Sequence, residues 1–352
     1  MPYLLLFGWA IAAAMLASAT PALRRPMGFA LATTLVLFAG LRADSVDYAG
    51  YQVMFELMAE LGLDYPERWF FGKDLLFGVL MDVLQRLGGE LQSMFLAASL
   101  LAIGLKQVAF ARAFGGNTAA PWLVTLCLSF FLHEFTQIRT AIALALCFLA
   151  LQHLVAGRTR PWLWLSLLAI GFHVSALLFL PFSALLLISP KRRVAAWVAM
   201  ISALVLSLIV LFELLGQIDP RLANHGEQTG LNLVALAVAF FKLTLLALTA
   251  YWLHRQGARI AAAGRLIWPC VMFVATGVIL LFVLRDVASA LAFRVYELFD
   301  AFSVFVIAAG LMQRRAVPVL LALTYCAFGV LLQWLPGLLT PYQLASLASL
   351  VR

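Results

Sequence analysis

Charged residues are scarce in this sequence: Asp, Glu, Lys and Arg make up 11% of the 352 residues, whereas 64% are hydrophobic. This scarcity excludes an ordinary soluble domain, in which about a quarter of the residues are charged. Apolar runs of roughly 15 to 22 residues recur along the chain and are long enough for membrane-spanning helices. The alternating segments typical of a transmembrane barrel are missing. We therefore expect an all-α polytopic membrane protein.

Cysteine and the common catalytic motifs are also scarce. The four cysteines lie far apart in predicted spans, without the spacing of a metal site or a disulfide framework. The sequence contains no Gly-rich phosphate loop and no CxxC, HExxH or GxSxG motif, and it has no soluble segment large enough for a nucleotide-binding domain. We therefore expect no cofactor and no bound metal.

The apolar runs predict one integral membrane domain over residues 1–352. The region 161–189 is too short for two full spans of about 20 residues. We expect a broken or hairpin pair there, with the two halves meeting near His173, and about 11 to 12 spans in all. The predicted spans are 3–19, 27–41, 91–111, 118–135, 137–156, 161–172, 174–189, 194–214, 231–253, 266–284, 293–312 and 316–335.

Basic residues are distributed unevenly between these spans. Arg24 and Arg25 follow the first apolar run instead of preceding it, so we expect an uncleaved span and outer (periplasmic) N- and C-termini. If successive spans cross the membrane in opposite directions from this outer N-terminus, all 16 acidic residues lie outside or at outer span ends. The net charge of +8 therefore indicates the positive-inside rule, with no nucleic-acid partner. The basic residues on the cytoplasmic side are Arg24, Arg25, Lys106, Arg112, Arg158, Arg160, Lys191, Arg192, Arg193, Arg255, Arg259, Arg265, Arg314 and Arg315.

The longest predicted outer segment is 42–90. Within it, 75–88 is expected to form an interfacial amphipathic helix, because Asp82, Gln85 and Arg86 interrupt an apolar pattern. The segment is also rich in aromatic residues, which suit carbohydrate binding or anchoring at the membrane interface. These are Tyr48, Tyr51, Phe55, Tyr65, Trp69, Phe70 and Phe71.

Three cations lie near the outer ends of predicted spans that run inward: Arg139, His173 and Arg294. A cation at a helix N-terminus opposes the helix dipole. An anion between the two removes the conflict, and a phosphate or diphosphate suits arginine because the guanidinium binds it through two donors. The alternative is local pairing of Arg139 with Glu134 and of Arg294 with Glu297.

Several short blocks together resemble a known family. They are Gly40-Leu41-Arg42, Asp47-Tyr48, Gln137-Ile138-Arg139, Phe172-His173-Val174-Ser175 and Phe293-Arg294-Val295-Tyr296. From about residue 38 to the last span, the chain resembles the EpsG family of Wzy-like exopolysaccharide polymerases. The family often has Gly-x-Asp-Tyr after its early arginine, whereas this chain has Ala43-Asp44-Ser45-Val46-Asp47-Tyr48. Either Asp44 or Asp47 can therefore fill the acidic position.

This resemblance implies a glycosyltransferase with a fold similar to the GT-C class. It implies that repeat units on undecaprenyl diphosphate are joined at the periplasmic face of a bacterial inner membrane, among membrane lipids and with a protein partner that sets chain length. Arginines would stabilise the leaving diphosphate, and a general base would activate the attacking hydroxyl. The predicted catalytic residues are His173, Asp47 and Glu134, and the predicted binding residues are Arg139, Arg294, Arg42, Gln137, Asp44, Tyr48, Ser175 and Tyr296.

Two other functions fit the same sequence features. An O-antigen ligase, or another transferase of lipid-linked sugars, handles the same diphosphate leaving group. A lipid-linked oligosaccharide transporter or flippase would also be polytopic with charged residues in its spans. A transporter favours polar residues along a path open to both sides, whereas the candidates here gather on one face.

Overall fold

A computed structural model describes residues 2–60, 74–218, 233–256, 263–285 and 289–334. Every regular element in these ranges is helical. Seven helical segments are long and apolar enough to cross a membrane. The prediction of an all-α polytopic membrane protein is confirmed. The seven segments are Pro2–Ala19, Pro21–Gly40, Leu91–Ala113, Ile138–Val155, Val234–Arg255, Ala263–Leu284 and Ala316–Gln333.

The chain folds into two compact units. Unit 1 comprises Met1–Leu177, Ile260–Ala263 and Cys326–Arg352, and unit 2 comprises Leu178–Arg259 and Gly264–Tyr325. The single membrane domain expected over the whole chain stays a prediction. The α-helices are α1 Pro2–Ala19, α2 Arg24–Gly40, α3 Tyr48–Glu60, α4 Leu75–Arg86, α5 Leu91–Ala113, α6 Ala119–Leu128, α7 Ile138–Val155, α8 Thr159–Phe172, α9 Phe179–Ala184, α10 Pro190–Ile218, α11 Leu233–Arg255, α12 Ala263–Leu284, α13 Ser289–Asp300, α14 Ser303–Leu311 and α15 Ala316–Trp334.

Helix α7 lies at the centre of unit 1 and packs against α5 and α8. Nearly all of its residues between Ile138 and Leu151 are buried, on every side of the helix. Ala141, Ala143 and Ala145 are fully buried, and such small side chains allow neighbouring backbones to approach closely. The position of α7 fixes Arg139, its second residue, inside the unit rather than on a mobile loop.

The turn from α4 to α5 is specified by its sequence. After α4, Gly88 has a φ of 76°, and the N–H groups of Gly88 and Gly89 donate to the carbonyls of Gln85 and Leu84. These are the two hydrogen bonds of a Schellman motif. Helix α5 then begins with a capping box between Glu90 and Ser93. This turn places α4 beside α5 within unit 1. The location of α4 at a membrane interface stays a prediction.

The predicted span 118–135 is wrong, because α6 ends at Leu128 and turns follow over 129–136. Buried carbonyls at a helix end need partners in an apolar environment. Gln333 supplies them: its amide nitrogen donates to the Leu126 and Cys127 carbonyls, and its oxygen accepts from the Phe131 N–H. A distant side chain therefore stabilises the end of α6, which no local pattern reveals.

Two other predicted spans are also interrupted. The segment 293–312 is split into α13 and α14 by a turn at Ala301 and Phe302, and 174–189 consists of short 3₁₀ and α-helical pieces. The break expected near His173 is present, since α8 ends at Phe172.

Helix α3 is an additional helix in the predicted outer segment 42–90. Residues 61–73 of that segment lie outside the described ranges.

Lys106 and Glu134 form a buried ion pair in unit 1, with side chains 1% and 0% exposed. The predicted topology places Lys106 on the cytoplasmic side and Glu134 at the outer end of the next span. The two side chains are in contact in the structure, so this predicted separation is wrong. The turns after α6 direct Glu134 towards α5 instead of continuing the span. Lys106 also lies 5.6 Å from the centre of the Phe148 ring.

Unit 2 contains a second buried pair, between Lys242 and Asp300. The Tyr325 hydroxyl donates to the other oxygen of Asp300 at 2.9 Å. Lys242 Nζ lies 5.8 Å from the centre of the Tyr296 ring. These contacts explain how a lysine near the middle of a predicted span is accommodated, because a buried charge must be paired or hydrogen-bonded.

The Lys106–Glu134 pair gives a stability prediction. Lys106→Met alone leaves a buried carboxylate without its partner, and we expect it to lower the free energy of unfolding by about 3–5 kcal/mol. Lys106→Met/Glu134→Leu removes both charges and should recover most of that loss. Thermal unfolding of the purified protein in detergent measures both effects. A double variant as unstable as the single one would contradict this interpretation.

Candidate functional site

The site is built around the carboxylate of Asp74, a residue only 3% exposed. Oδ2 accepts a hydrogen bond from Arg139 Nη1 at 2.6 Å and lies 3.3 Å from His173 Nδ1. Oδ1 accepts from the backbone N–H of Val174 at 2.9 Å. One carboxylate thus joins the start of α4, the start of α7 and the end of α8. We call Asp74, Arg139, His173, Val174 and Tyr51 the Asp74 cluster.

Asp74 occupies the N-cap position of α4, but its side chain makes no capping hydrogen bond. Its backbone carbonyl accepts the helical bond from the Gly78 N–H, and its carboxylate is directed to other helices instead. Close packing of α4 against α8 makes this reach possible. A Cβ added at Gly171 would lie 2.6 Å from a Leu76 methyl group, so glycine provides the space for α4.

His173 lies at the junction between α8 and the 3₁₀ helix Val174–Leu178. Its backbone is extended, with φ −159° and ψ 121°, so helical hydrogen bonding stops there. The next N–H, that of Val174, is available to Asp74 because of this break. The helix break therefore positions both a side-chain and a backbone partner for the carboxylate.

Aromatic rings enclose the Arg139 guanidinium. Its central carbon lies 5.7 Å from the centre of the Tyr51 ring and 6.0 Å from that of Phe77. Tyr51 is buried and also shares a hydrogen bond with Arg139. Burial, opposed by the charge of Arg139, raises the pKa of Tyr51 above its ordinary value of 10.0, so its hydroxyl stays protonated at neutral pH.

Arg42 and Tyr48 extend this arrangement. The Arg42 guanidinium lies 4.2 Å from the centre of the Phe95 ring, within cation–π range, and donates to the Ala39 carbonyl. Tyr48 stacks on the same ring at 5.0 Å, and Tyr51 meets it edge-on at 5.8 Å. Phe95 therefore links Arg42 and Tyr48 to the Asp74 cluster within unit 1.

Burial alone would raise the pKa of Asp74. Hydrogen bonds from His173 and the Val174 N–H, together with the charges of His173 and Arg139, outweigh burial and hold the pKa below its ordinary 3.8. Asp74 is therefore ionised at neutral pH and stabilises a guanidinium and an imidazole at one point.

The other predicted site residues lie elsewhere. Asp47 is exposed and Asp44 half-buried, both just before α3, while Gln137 is the N-cap of α7 and Ser175 lies in the 3₁₀ helix after His173. Glu134 pairs with Lys106, so the alternative pairing of Arg139 with Glu134 is wrong. The roles predicted for these residues stay predictions.

Arg294 and Tyr296 belong to unit 2. Arg294 is exposed and is the sixth residue of α13, more than one turn from the start of that helix. The predicted span 293–312 would have placed it next to the helix start, whereas α13 begins four residues earlier, at Ser289. Tyr296 is buried near Lys242. Their predicted roles in substrate binding also stay predictions.

The sequence prediction missed Asp74, which holds the site together. A local signal was available, because an aspartate immediately before the apolar stretch of α4 is a typical N-cap residue. That signal predicts a capping role, which the structure does not show. Only the packing of α4 on α8 reveals that the carboxylate is directed to Arg139 and His173.

This arrangement suits chemistry on an anionic substrate. Arginine has five N–H donors, so a guanidinium can contact Asp74 and Tyr51 and still bind a phosphate. Arg139 keeps 26% of its side chain exposed, and His173 keeps 15%. A carboxylate at Nδ1 orients an imidazole so that Nε2 can accept a proton. Within the described residues no group of His, Cys, Asp and Glu could hold a metal ion.

The apolar helices and the buried charge cluster define a multi-pass membrane protein with an internal polar site. A family profile for the EpsG family matches residues 27–344, nearly the whole chain. The chain belongs to the EpsG family, a family of Wzy-like polymerases. No curated protein sequence and no solved structure matches the chain significantly.

The depressed pKa of Asp74 gives a pH prediction. A carboxyl group whose pKa is lowered by folding stabilises the protein above its unfolded pKa, and this contribution is lost as the pH falls through the folded value. At pH 5 we expect Asp74→Asn to lower the free energy of unfolding by about 2–3 kcal/mol. The difference in unfolding free energy between Asp74→Asn and the unsubstituted protein should shrink as the pH falls from 5 to 3. This range passes through 3.8, the ordinary pKa of an aspartate.

Unfolding midpoints of both proteins in detergent, measured across this pH range, test the prediction. Carboxyl groups are the side chains that titrate in this interval, so other residue types interfere little. Glu56→Gln is the matched control, because Glu56 lies on α3 and pairs with Gln52 rather than with the cluster. A difference that stays constant down to pH 3 would contradict the ionised state assigned to Asp74.

Proposed function

We propose that this protein is a polysaccharide polymerase that joins oligosaccharide repeat units carried on undecaprenyl diphosphate. The proposed reaction takes place at the periplasmic face of a bacterial inner membrane. The observation that supports it best is the Asp74 cluster, in which Arg139 and His173 share one buried carboxylate. Family membership supports the reaction class, and the cluster supports the roles of individual residues.

In the proposed reaction, a hydroxyl of the acceptor repeat unit attacks the anomeric carbon of the donor chain. The bond between that carbon and the diphosphate oxygen breaks, and undecaprenyl diphosphate leaves. Negative charge develops on the leaving oxygen, where a fixed guanidinium lowers the barrier. Arg139 takes this role, because α7 and Asp74 hold it in place.

His173 accepts the proton of the attacking hydroxyl at Nε2. Asp74 is a positioning residue: it fixes Nδ1 as the donor side of the ring and stabilises the imidazolium that forms. The same carboxylate contacts Arg139, so the base and the leaving-group ligand are fixed relative to each other. Tyr48 stacks on the Phe95 ring and is only half-buried, so its exposed part offers a flat apolar surface to a sugar ring, whereas Arg42 and Phe95 are fully buried.

The function is tested with purified protein, a lipid-diphosphate-linked repeat unit and no nucleotide, and products are resolved by length. A polymerase yields a ladder of products. A single transfer to lipid A core would indicate a ligase, and movement across vesicles without new bonds would indicate a transporter. Either result would contradict the proposal.

Arg139 gives the first mechanistic prediction. Arg139→Ala should reduce elongation at least about 100-fold, the usual cost of removing a donor that stabilises transition-state charge. Arg139→Lys should recover only part of the rate, because an ammonium group lacks the planar fork of donors. The readout is the initial rate of ladder formation, with membrane insertion checked in parallel.

Arg158→Ala is the matched control, since Arg158 is an exposed arginine just beyond the other end of α7. It should elongate at the unsubstituted rate. An Arg139→Ala protein that is inserted and makes ladders of normal length would remove Arg139 from the mechanism.

His173 gives a prediction with a separate readout. An imidazole base must be unprotonated, so the rate should fall on the acidic side of its pH profile. His173→Gln should lower the rate by about 10²–10⁴-fold and abolish this acidic limb. Asp74→Asn should also lower the rate, because the imidazole loses the carboxylate that orients its Nδ1. An unchanged limb in His173→Gln would assign the base to another residue.

A further inference from the structure

Unit 1 has a second polar region at the opposite ends of the helices that carry the Asp74 cluster. Helix α7 begins with Arg139 in its first turn and has His153 in its last turn. Its 18 residues span roughly 27 Å at 1.5 Å per residue, close to the thickness of the hydrocarbon core. Arg112, in the last turn of α5, lies 3.2 Å from His153. We call this region the basic end, and it comprises Arg24, Arg25, Arg112, Arg158 and Arg160.

The exposed charged side chains of the basic end are all cations. No aspartate or glutamate occurs in the segments 20–30, 104–118 and 152–162, which form it. Within the described ranges no acidic side chain pairs with Arg24 or Arg25. A cationic surface of this kind attracts anionic headgroups, although charge alone defines no specific site.

A cavity at the basic end places one of these cations, Arg25, next to a space that can hold a ligand. It has a volume of about 430 Å³ and is lined by Arg25, Phe29, Gln107, Ala111, Gly115 and Gly116. Gly115 and Gly116 have φ values of 62° and 89°. A Cβ at Gly116 would lie 3.0 Å from Arg25 Nε. Glycine therefore permits both the left-handed turn and the close approach of the guanidinium to the cavity wall.

Gln107 adds a second, oriented donor. The indole N–H of Trp122 donates to Gln107 Oε1 at 2.6 Å, and Trp122 is fully buried. An indole nitrogen can only donate, so this bond fixes the amide with its oxygen towards Trp122. The two N–H donors of the Gln107 amide are then left for the cavity. The polar side-chain groups of the lining are therefore a guanidinium and an amide NH₂, with no carboxylate.

The cavity lining also has an apolar part. Phe29 is 68% exposed and lies in the same cavity wall as Arg25. A ligand that suits this combination has an anionic head for Arg25 and Gln107 and an apolar portion for Phe29 and Ala111. We propose that this cavity binds the headgroup of an anionic glycerophospholipid of the surrounding bilayer. The site is distinct from the Asp74 cluster and does not depend on the proposed polymerase activity.

The test is a titration of the purified full-length chain with phosphatidylglycerol or phosphatidylcholine, followed by native mass spectrometry. The unsubstituted protein should bind phosphatidylglycerol more tightly. Arg25→Ala should weaken phosphatidylglycerol binding by at least about fivefold, the loss expected for one basic residue near a headgroup. Gln107→Glu should weaken it as well, because glutamate still accepts from Trp122 but replaces the amide donors with a negative charge.

Arg160→Ala is the matched control: it removes the same charge from the same end, at an exposed position outside the cavity lining. It should change binding less than about twofold. Equal losses in Arg25→Ala and Arg160→Ala would show unspecific attraction and overturn the site. Equal binding of the two lipids would overturn it too. If equimolar undecaprenyl phosphate or inorganic phosphate displaces phosphatidylglycerol, the cavity prefers a different phosphate compound and the proposed occupant is wrong.

Discussion

A buried carboxylate requires hydrogen-bond donors, and the way Asp74 meets this requirement determines the arrangement of the candidate site. Its two oxygens receive the Arg139 guanidinium, the His173 imidazole and the Val174 N–H. These donors come from the start of α7 and the end of α8, two helices that pack along each other. Each donor would be costly in an apolar environment by itself, whereas together with one anion they form a balanced group. The cluster therefore depends on α4, the helix that carries Asp74, being held in place.

The helices of unit 1 have chemically different ends. One end carries the Asp74 cluster, in which cations are matched with a carboxylate and enclosed by aromatic rings. The basic end carries only cations and a cavity with two donor side chains. Helices α2, α5 and α7 each run from one end to the other. Unit 1 therefore has one end with paired charges and an opposite end with cations alone. This polarity agrees with the lopsided charge distribution in the sequence, apart from the buried pair of Lys106 and Glu134.

Much of the fold could be predicted from the sequence, because long apolar runs with few charges strongly favour membrane helices. The family could also be predicted from short blocks around Arg139 and His173. Interruptions of apolar segments were harder to predict. The turns after α6 are stabilised by Gln333, about 200 residues away, and no local pattern carries that information. Asp74 was missed for a similar reason, since its partners lie 65 and 99 residues further along the chain.

In the proposed mechanism, Asp74 holds Arg139 and His173 together as the site for a lipid-linked diphosphate. An experimental structure of the protein with bound undecaprenyl diphosphate, the proposed leaving group, would test this arrangement. Phosphate oxygens should lie within hydrogen-bonding distance of the Arg139 guanidinium, with Asp74 still in contact with His173 Nδ1. A diphosphate bound elsewhere in the protein, with Arg139 still in contact only with Asp74 and Tyr51, would rule the mechanism out.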